Sequence, residues 1–386
     1  MLSEVELSKA CSNKSESLAD IAQQFVRYDT IGDIRPLGSG NINDTYLVYL
    51  VDATQPFVLQ RINTEVFPQP QRVMDNLCQF VRHARQRLST EPFNRRWEIP
   101  TVLRTGDNQH HLIDSQGNVW RGLSFVDGTT TFNTIQDHNH AVEIGYGLGC
   151  FHSLLSDLPV VDLADTLPGF HITPNYLSQY DRVLGQTELS SPEEQYCCTM
   201  IANHRGRLSV LEDAKAKGHL PLRSIHGDPK INNILIDTAT RQAASLIDLD
   251  TVKPGLVHYD IGDCLRSSCN PLGEETQQWQ AVTFDVELCT AVLRGYLSCA
   301  SRFLDVIEYD YIYDAIWLIT FELGLRFFSD HLAGNVYFKT QRPNHNLQRA
   351  LVQFQLADSI NTQKSTIQTV IDQLKTDYCT DAGCVA

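Results

Sequence analysis

Apolar positions in the first third of the chain change from helical to strand-like spacing. Ser17 stands three positions before Asp20, as in a capping box, and the segment 17–26 is predicted to form an opening helix. Short runs rich in β-branched and aromatic residues follow, and they predict strands over residues 34–37, 45–51, 57–62, 111–113 and 120–126. One amphipathic helix is predicted over residues 71–88, directly after the third strand. The pattern indicates one small α+β unit.

Beyond residue 128 the apolar positions recur at intervals of three and four, which is typical of helices. Helices are predicted over residues 141–155, 193–216, 286–297, 311–328 and 347–360. Residues 224–252 are the exception, because they carry short apolar runs around polar loops. We therefore expect two domains, residues 1–125 and residues 126–386.

Composition and charge narrow the classes of function. With 386 residues, 42% of them hydrophobic and 20% charged, the chain is predicted to be folded. Its net charge of -15 would repel phosphate backbones and anionic lipid, so neither nucleic acid nor a membrane is an expected partner. No apolar run approaches a membrane span and no signal-like start is visible, so we expect a cytoplasmic protein.

Cysteine and histidine spacing indicates neither a zinc site built from cysteines nor a histidine metal site. The eleven cysteines form no C-x-x-C pair, and the thirteen histidines show no H-E-x-x-H spacing. We expect the cysteines to be reduced.

One segment carries candidate chemistry. Residues 225–237 read Ile-His-Gly-Asp-Pro-Lys-Ile-Asn-Asn-Ile-Leu-Ile-Asp, and Asp248 follows Asn233 by fifteen positions. Asp228 could accept the proton of a substrate hydroxyl, while Asn233 and Asp248 offer the hard oxygen ligands that Mg²⁺ prefers. A polar turn capped by its own side chains is the structural alternative. The apolar strands on both sides favour a phosphoryl-transfer site.

The block His226-Gly227-Asp228-x-x-x-x-Asn233, followed by Asp248, resembles the catalytic motif and metal-binding aspartate of the aminoglycoside phosphotransferase and choline kinase superfamily. The resemblance implies an α+β, two-lobed, protein-kinase-like fold. A small β-rich N-lobe would bind nucleotide, and a larger, mainly helical C-lobe would carry the catalytic loop and the substrate. ATP and Mg²⁺ are the implied cofactors.

Two further segments resemble the nucleotide-binding parts of that fold. A glycine-containing loop between two strands would let backbone N–H groups approach ATP phosphates, and a later strand resembles the hinge whose backbone reads adenine. An ordinary hairpin and an ordinary connecting strand are the alternatives. The residues assigned in this way are Gly38, Ser39, Gly40, Asn41, Ser124, Phe125 and Val126.

The third strand departs from the superfamily pattern. It normally ends in a lysine that pairs with ATP phosphates, but this chain has Gln60 at the aligned place and Arg61 next to it. Because strand side chains alternate between faces, only one of the two can point at the nucleotide. The alignment favours Gln60, and both remain candidates.

Within the superfamily, the chain is most similar to the N-acetylhexosamine 1-kinase branch. The similarity lies in residues 41–46, 59–63, 247–252, 260–263, 322–327 and 334–339. It implies that Arg326 and Tyr337 contact a sugar beside Asp228. Alternatively, Arg326 ends a helix and Tyr337 packs a loop. Asp260 and Asp263 are expected to hold the catalytic loop rather than a metal.

The leading interpretation is an ATP- and Mg²⁺-dependent kinase that phosphorylates the anomeric hydroxyl of an N-acetylhexosamine. A kinase of another small alcohol, such as an aminoglycoside, choline or homoserine, is one alternative. A nucleotide-binding pseudokinase is another: the altered lysine favours it, and the intact Asp228, Asn233 and Asp248 oppose it. The expected partners are ATP and a small sugar, with the protein a monomer or a small homo-oligomer.

Overall fold

A computed structural model describes residues 16–38, 42–51 and 55–381. The chain divides into two compact units, Met1–Met74 with Pro100–Asp127 and Asp75–Ile99 with Gly128–Ala386. Residues 75–99 thus group with the second unit, and the predicted domains 1–125 and 126–386 stay a prediction. Within the described part of the chain, no helix combines the length and the apolar character needed to cross a bilayer.

The first unit contains a five-stranded antiparallel sheet with strand order β1-β2-β3-β5-β4. Its elements are α1 (Leu18–Gln23), β1 (Ile31–Pro36), β2 (Asp44–Leu50), β3 (Phe57–Ile62), β4 (Leu112–Ile113) and β5 (Val119–Ser124). The capping box at the start of α1 is confirmed, because Ser17 Oγ accepts from the Asp20 amide and the Asp20 carboxylate accepts from the Ser17 amide.

One face of this sheet packs on α1. Phe57 and Leu59 of β3 are buried in an apolar cluster with Ile21 and Phe25. Since side chains alternate along a strand, Val58 and Gln60 point to the opposite face. This alternation decides where Gln60 lies.

The second unit is mainly helical. Its first helix, α2 (Pro70–Thr90), belongs to this unit from Asp75 onwards. The other helices are α3 (His138–Leu155), α4 (Thr173–Leu184), α5 (Pro192–His204), α6 (Val210–Ala216), α7 (Val257–Ser268), α8 (Val286–Ala300), α9 (Val306–Tyr309), α10 (Ile312–Leu332), α11 (His345–Thr362) and α12 (Lys364–Asp381). Two small antiparallel sheets are formed by β6 (Thr129–Thr130), β7 (Arg223–Ile225), β8 (Ile234–Asp237), β9 (Ala243–Leu246) and β10 (Lys253–Gly255).

The helix predicted over residues 193–216 is interrupted. A 3₁₀ turn at Arg205–Arg207 separates α5 from α6. Gly206 lies in this turn, and glycine is a poor helix former because it loses the most backbone freedom on ordering. The apolar residues therefore keep helical spacing through this segment, although its backbone is not one continuous α-helix.

Helices α3 and α8 pack with their backbones in contact. A Cβ atom added to Gly145 would overlap the Val292 carbonyl, and one added to Gly295 would overlap the Val142 carbonyl. Only glycine permits this separation at both positions. The two helices are consequently fixed against each other.

Candidate active site

The loop that follows β7 needs a glycine at its second residue. Gly227 has a φ of 88°, in the left-handed region, and an added Cβ would lie 2.8 Å from the Thr251 Cβ. The Thr251 hydroxyl donates to the His226 carbonyl at 2.6 Å. The loop is thus pressed against the segment that follows Asp248.

A buried carboxylate holds the start of this loop. Asp260 on α7 has no exposed surface, and its Oδ2 accepts from the His226 amide at 2.6 Å and its Oδ1 from the Gly227 amide at 2.8 Å. His152 Nε2 lies 2.8 Å from Asp260 Oδ2, and its other ring nitrogen bonds the Tyr296 hydroxyl. The expectation that Asp260 holds the catalytic loop is confirmed.

His226 connects the loop to the strand that precedes Asp248. Its Nε2 donates to the Ile247 carbonyl at 2.9 Å, while its Nδ1 accepts from the Asp228 amide at 3.2 Å. Burial lowers the pKa of His226. One nitrogen that donates and one that accepts define a neutral imidazole, so His226 acts as a structural strut.

His171 contacts the loop from another side and has a different charge. Its Nε2 lies 2.9 Å from the Gly227 carbonyl and its Nδ1 lies 2.9 Å from a Glu322 carboxylate oxygen. Burial disfavours the charged ring, but Glu322 and the Gly227 carbonyl outweigh burial and raise the pKa of His171. Two acceptors facing one ring favour the imidazolium. Its φ of 63° shows that the backbone is also held in an uncommon conformation.

Asp228 is paired with a cation in the same loop. Lys230 Nζ lies 2.7 Å from Asp228 Oδ2, and about a third of the Asp228 side chain is exposed (31%). Burial opposes the charge on Lys230, but Asp228 and Asp248 outweigh that effect and raise its pKa. The carboxylate predicted to act on the substrate hydroxyl therefore has an ammonium group beside it.

Asn233 and Asp248 lie at the same end of one hairpin. Asn233 directly precedes β8 and Asp248 follows β9, and these strands pair through Ile234 and Leu246. The Asn233 amide nitrogen donates to the Asp228 carbonyl at 2.7 Å, and the backbone of Asn233 bonds the Ile247 amide at 2.9 Å. Among the described residues, no hydrogen-bond donor contacts the side-chain amide oxygen of Asn233.

This donor set is compatible with a magnesium ion. The described residues contain no group of three or more His, Cys, Asp or Glu side chains that could hold a metal by themselves. Mg²⁺ usually keeps several waters and binds through one or two protein oxygens together with substrate phosphates. One carboxylate and one amide oxygen fit that habit.

Arg326 is enclosed by aromatic rings. Its guanidinium carbon lies 5.1 Å from the Phe170 ring centre, 5.0 Å from that of Tyr176 and 5.5 Å from that of Phe338. Burial opposes the charge on Arg326. Tyr176 and Glu322, with smaller contributions from Tyr337 and Asp228, outweigh burial and raise the pKa of Arg326. No hydrogen bond or ion pair to its N–H groups is found in the described part of the chain.

Arg326 does not end its helix, because α10 continues to Leu332. Tyr337 lies in the loop that follows this helix. Its backbone amide donates to Asp330 Oδ1 at 2.8 Å, and the residue is half-exposed. The structure thus gives Arg326 and Tyr337 a shared electrostatic environment. Their contact with a substrate stays a prediction.

The residues predicted to bind nucleotide belong to the first unit. Gly38 has a positive φ of 71°, while Ser39, Gly40 and Asn41 lie outside the described residues. The Ser124 amide donates to the Thr101 carbonyl at 2.8 Å, so that group already has a protein partner. Adenine recognition stays a prediction, to be sought at the backbone of Phe125 and Val126.

Gln60 and Arg61 point to opposite faces of the sheet, as the alternation predicts. Gln60 donates to Thr45 Oγ1 at 3.0 Å, and its amide oxygen accepts from the buried Arg121 at 2.7 and 3.0 Å. Arg61 forms an ion pair with Asp44. The cation beside the expected lysine position is therefore Arg121, which comes from the neighbouring strand β5.

The family assignment rests on a match over most of the chain. A family model described as phosphotransferase enzyme family matches residues 33–293. The chain belongs to this family. It is a small-molecule phosphotransferase whose acceptor is an alcohol group, and the predicted protein-kinase-like fold is confirmed.

Solved structures support the same fold for this phosphotransferase. An aminoglycoside phosphotransferase from Alicyclobacillus acidocaldarius subsp. acidocaldarius is 17% identical with a TM-score of 0.61, covering 95% of this chain and 99% of its own. A microcompartment-associated aminopropanol kinase is 16% identical with a TM-score of 0.60, covering 91% and 97%. A choline/ethanolamine kinase family protein from Mesorhizobium loti is 14% identical with a TM-score of 0.55, covering 89% and 93%.

Several charged groups of this phosphotransferase escaped the sequence analysis. Lys230 lies inside the catalytic motif, where its two-residue spacing from Asp228 was the available signal. His171 and Glu322 stand 151 positions apart, and Arg121 meets Gln60 across two strands, so no local pattern relates them. Asp263 is also different from the expectation, because it pairs with the buried Arg266 at 2.7 Å rather than with the loop backbone.

Proposed function

We propose that this phosphotransferase transfers the γ-phosphoryl group of ATP to the anomeric hydroxyl of an N-acetylhexosamine. The observation that carries the choice of acceptor is the guanidinium of Arg326, held among three aromatic rings with no acceptor for its N–H groups within residues 16–38, 42–51 and 55–381. Five N–H donors in a fixed fork suit a ligand rich in neutral oxygen atoms. An N-acetylated sugar offers a carbonyl and several hydroxyls.

The same cation argues against the alternative acceptors. Aminoglycosides, choline and aminopropanol are cationic, and a half-buried guanidinium would repel them in a medium of low dielectric constant. The net charge of -15 would attract such cations in general, but total charge does not determine the sign within one pocket. The local charge at Arg326 therefore favours a neutral acceptor over the cationic acceptors named for the structural neighbours.

Asp228 would orient the acceptor hydroxyl and take up its proton. Phosphoryl transfer depends mainly on positioning and charge neutralisation, so a carboxylate fixed on a rigid loop is well suited to this role. Asp260, His226 and His171 supply the rigidity through buried hydrogen bonds. Lys230, 2.7 Å from Asp228, would stabilise negative charge on the transferred group.

Asn233 and Asp248 would hold Mg²⁺, which when bound neutralises charge on the nucleotide phosphates. In the first unit, Gly38, Ser39, Gly40 and Asn41 would approach the phosphates through their backbone. Arg121, with Gln60 fixing its orientation, would supply the cation that the missing lysine normally provides. This arrangement answers the argument for a pseudokinase, which rested on the missing lysine.

The test is ATP consumption by the purified protein across free N-acetylhexosamines, their non-acetylated counterparts, amino alcohols and aminoglycosides. We expect the N-acetylated sugar to give the highest kcat/KM. The matched control is the same sugar methylated at its anomeric oxygen, which a 1-kinase cannot phosphorylate. Efficient turnover of the methyl glycoside would refute 1-phosphorylation, and a preference for an amino alcohol would refute the sugar assignment.

Variants test the site itself. Replacing Arg326 with Met, or Tyr337 with Phe, should raise KM for the sugar and leave KM for ATP nearly unchanged. In the wild type, a sugar without the acetyl oxygen leaves a donor unpaired and binds more weakly by about 1–3 kcal/mol. The variants lack that donor, so they should also lose the preference for acetylated sugar. Equal KM changes for both substrates would show a general disturbance instead.

A further inference from the structure

Two thiols outside the candidate active site lie within reach of each other. Cys150 on α3 and Cys299 on α8 have Sγ atoms 3.8 Å apart. A disulfide requires a separation of about 2.05 Å, so the remaining distance is less than 2 Å. Cys150 is buried and Cys299 is partly exposed, which gives a small oxidant access to one of the two.

The helices that carry these thiols keep them at this distance. The backbones of α3 and α8 touch at Gly145 and Gly295, so the helices have no room to slide. Closer to the pair, a Cβ on Gly149 would lie 3.2 Å from the Cys299 Cβ. The short separation of the two sulfur atoms is therefore built into the fold.

The two thiols differ in reactivity. The hydrogen bond from Cys150, supported by Ser298 and by the cations Arg302 and Arg95, lowers the pKa of Cys299 to about 7. Burial raises the pKa of the Cys150 thiol. Because the thiolate is the nucleophile, Cys299 is the group that attacks an oxidant and Cys150 is the group that resolves the product.

We propose that Cys150 and Cys299 are a redox modification site, which hydrogen peroxide converts into a reversible intramolecular disulfide. In the first step the Cys299 thiolate attacks a peroxide oxygen, the O–O bond breaks, and the departing hydroxide takes up a proton to form water. Cys299 is left as a sulfenic acid. In the second step the Cys150 sulfur bonds the Cys299 sulfur, the S–O bond breaks, and a second water carries away the Cys150 proton. Two thiols are oxidised and one peroxide is reduced.

A second thiol pair in this unit is a natural contrast. Cys269 and Cys289 interact with each other, but both are completely buried, and burial raises the pKa of Cys269. An oxidant therefore has no access route to either sulfur of this pair. We therefore expect oxidation to be selective for the Cys150 and Cys299 pair.

The decisive experiment maps disulfides in the whole protein. Reduced, desalted protein is exposed to hydrogen peroxide, alkylated under denaturing conditions and digested without reductant. We expect a cross-linked peptide that joins Cys150 to Cys299, two hydrogens lighter than its separate components and lost on treatment with dithiothreitol. A cross-link through Cys379, between Cys269 and Cys289, or none at all would overturn the proposal.

Several variants separate the two steps, so the test does not depend on the folding of any single variant. In Cys150→Ala the sulfenic acid on Cys299 has no resolving partner, so dimedone should trap it there. In Cys299→Ser no dimedone adduct should form at Cys150. Cys379→Ser, a partly exposed cysteine on α12, is the matched control and should oxidise like the wild type. Dimedone labelling in wild type that equals that in Cys150→Ala would show that Cys150 does not resolve the intermediate.

Discussion

Replacing Asp260 by asparagine tests how strongly the catalytic loop depends on one carboxylate. Its two oxygens accept three buried hydrogen bonds, from the His226 amide at 2.6 Å, the Gly227 amide at 2.8 Å and His152 at 2.8 Å. Asparagine has one oxygen and one NH₂ group. Its best orientation turns the oxygen toward His226 and His152 and places the NH₂ against the Gly227 N–H, donor against donor.

The expected loss of stability follows from these bonds. One charge-assisted hydrogen bond disappears, at about 1.5–3 kcal/mol, and the other two weaken because their acceptor becomes neutral. The Gly227 N–H is left buried without a partner, which adds a penalty of similar size. We expect the free energy of unfolding to fall by about 3–5 kcal/mol, a large share of the roughly 5–15 kcal/mol that holds a domain folded.

The measurement combines urea unfolding with turnover at a temperature where the variant is still folded. We expect an earlier midpoint and a turnover reduced by roughly 10²-fold, because a loop displaced by an ångström misplaces Asp228. Asp372→Asn is the matched control: this carboxyl is exposed on α12, and such changes usually stay within about 0.5 kcal/mol. Unfolding within about 1 kcal/mol of the wild type, with normal turnover, would refute the reasoning.

Four other predictions concern the site. Asp228→Asn should keep the fold and nucleotide binding and lower turnover by about 10² or more, and wild-type turnover would remove Asp228 from the mechanism. Asp248→Ala should abolish Mg²⁺-dependent nucleotide binding in calorimetry, whereas full activity in excess chelator would contradict the metal role. Because the pKa of His171 is raised, the stability from its charged pair with Glu322 is complete below the pKa of the unfolded state, about 6.5. This stability is lost as pH rises through the pKa of the folded state. The urea midpoints of His171→Gln should lack that decline with pH. Arg326→Lys should keep the charge but lose the fork of donors, so KM for the sugar should rise while cationic alcohols remain poor substrates.

Elements with one apolar face were predictable from the sequence. β3 was predicted at its observed bounds, Phe57–Ile62, because burial alternates over its first four residues and gives a period of two. Helix α7 was not predicted. Its side chains are nearly all buried, and they include the polar Asp260, Asp263 and Arg266, so burial leaves no contrast along the sequence. A helix whose buried residues include polar ones that support a site therefore shows no apolar periodicity by which the sequence could predict it.

The catalytic motif was predictable because phosphoryl transfer places Asp228 and Asn233 in one local segment. Its supports were not, since His171 and Glu322 meet only after α4 and α10 have packed. Likewise, the third strand alone left Gln60 and Arg61 as rivals for the missing lysine. Cross-strand pairing brought in Arg121, which no inspection of that strand could identify.

The contact between Gln60 and Arg121 also constrains the order in which this sheet can change over generations. Gln60→Lys would set two cations against each other beside a side chain that is 1% exposed, and it would take away the acceptor of Arg121. Arg121 replaced first would leave Gln60 with the Thr45 hydroxyl and open the position to a lysine. Introducing the lysine of the common phosphate-binding arrangement therefore has a passable route in one order of substitutions and a barrier in the other.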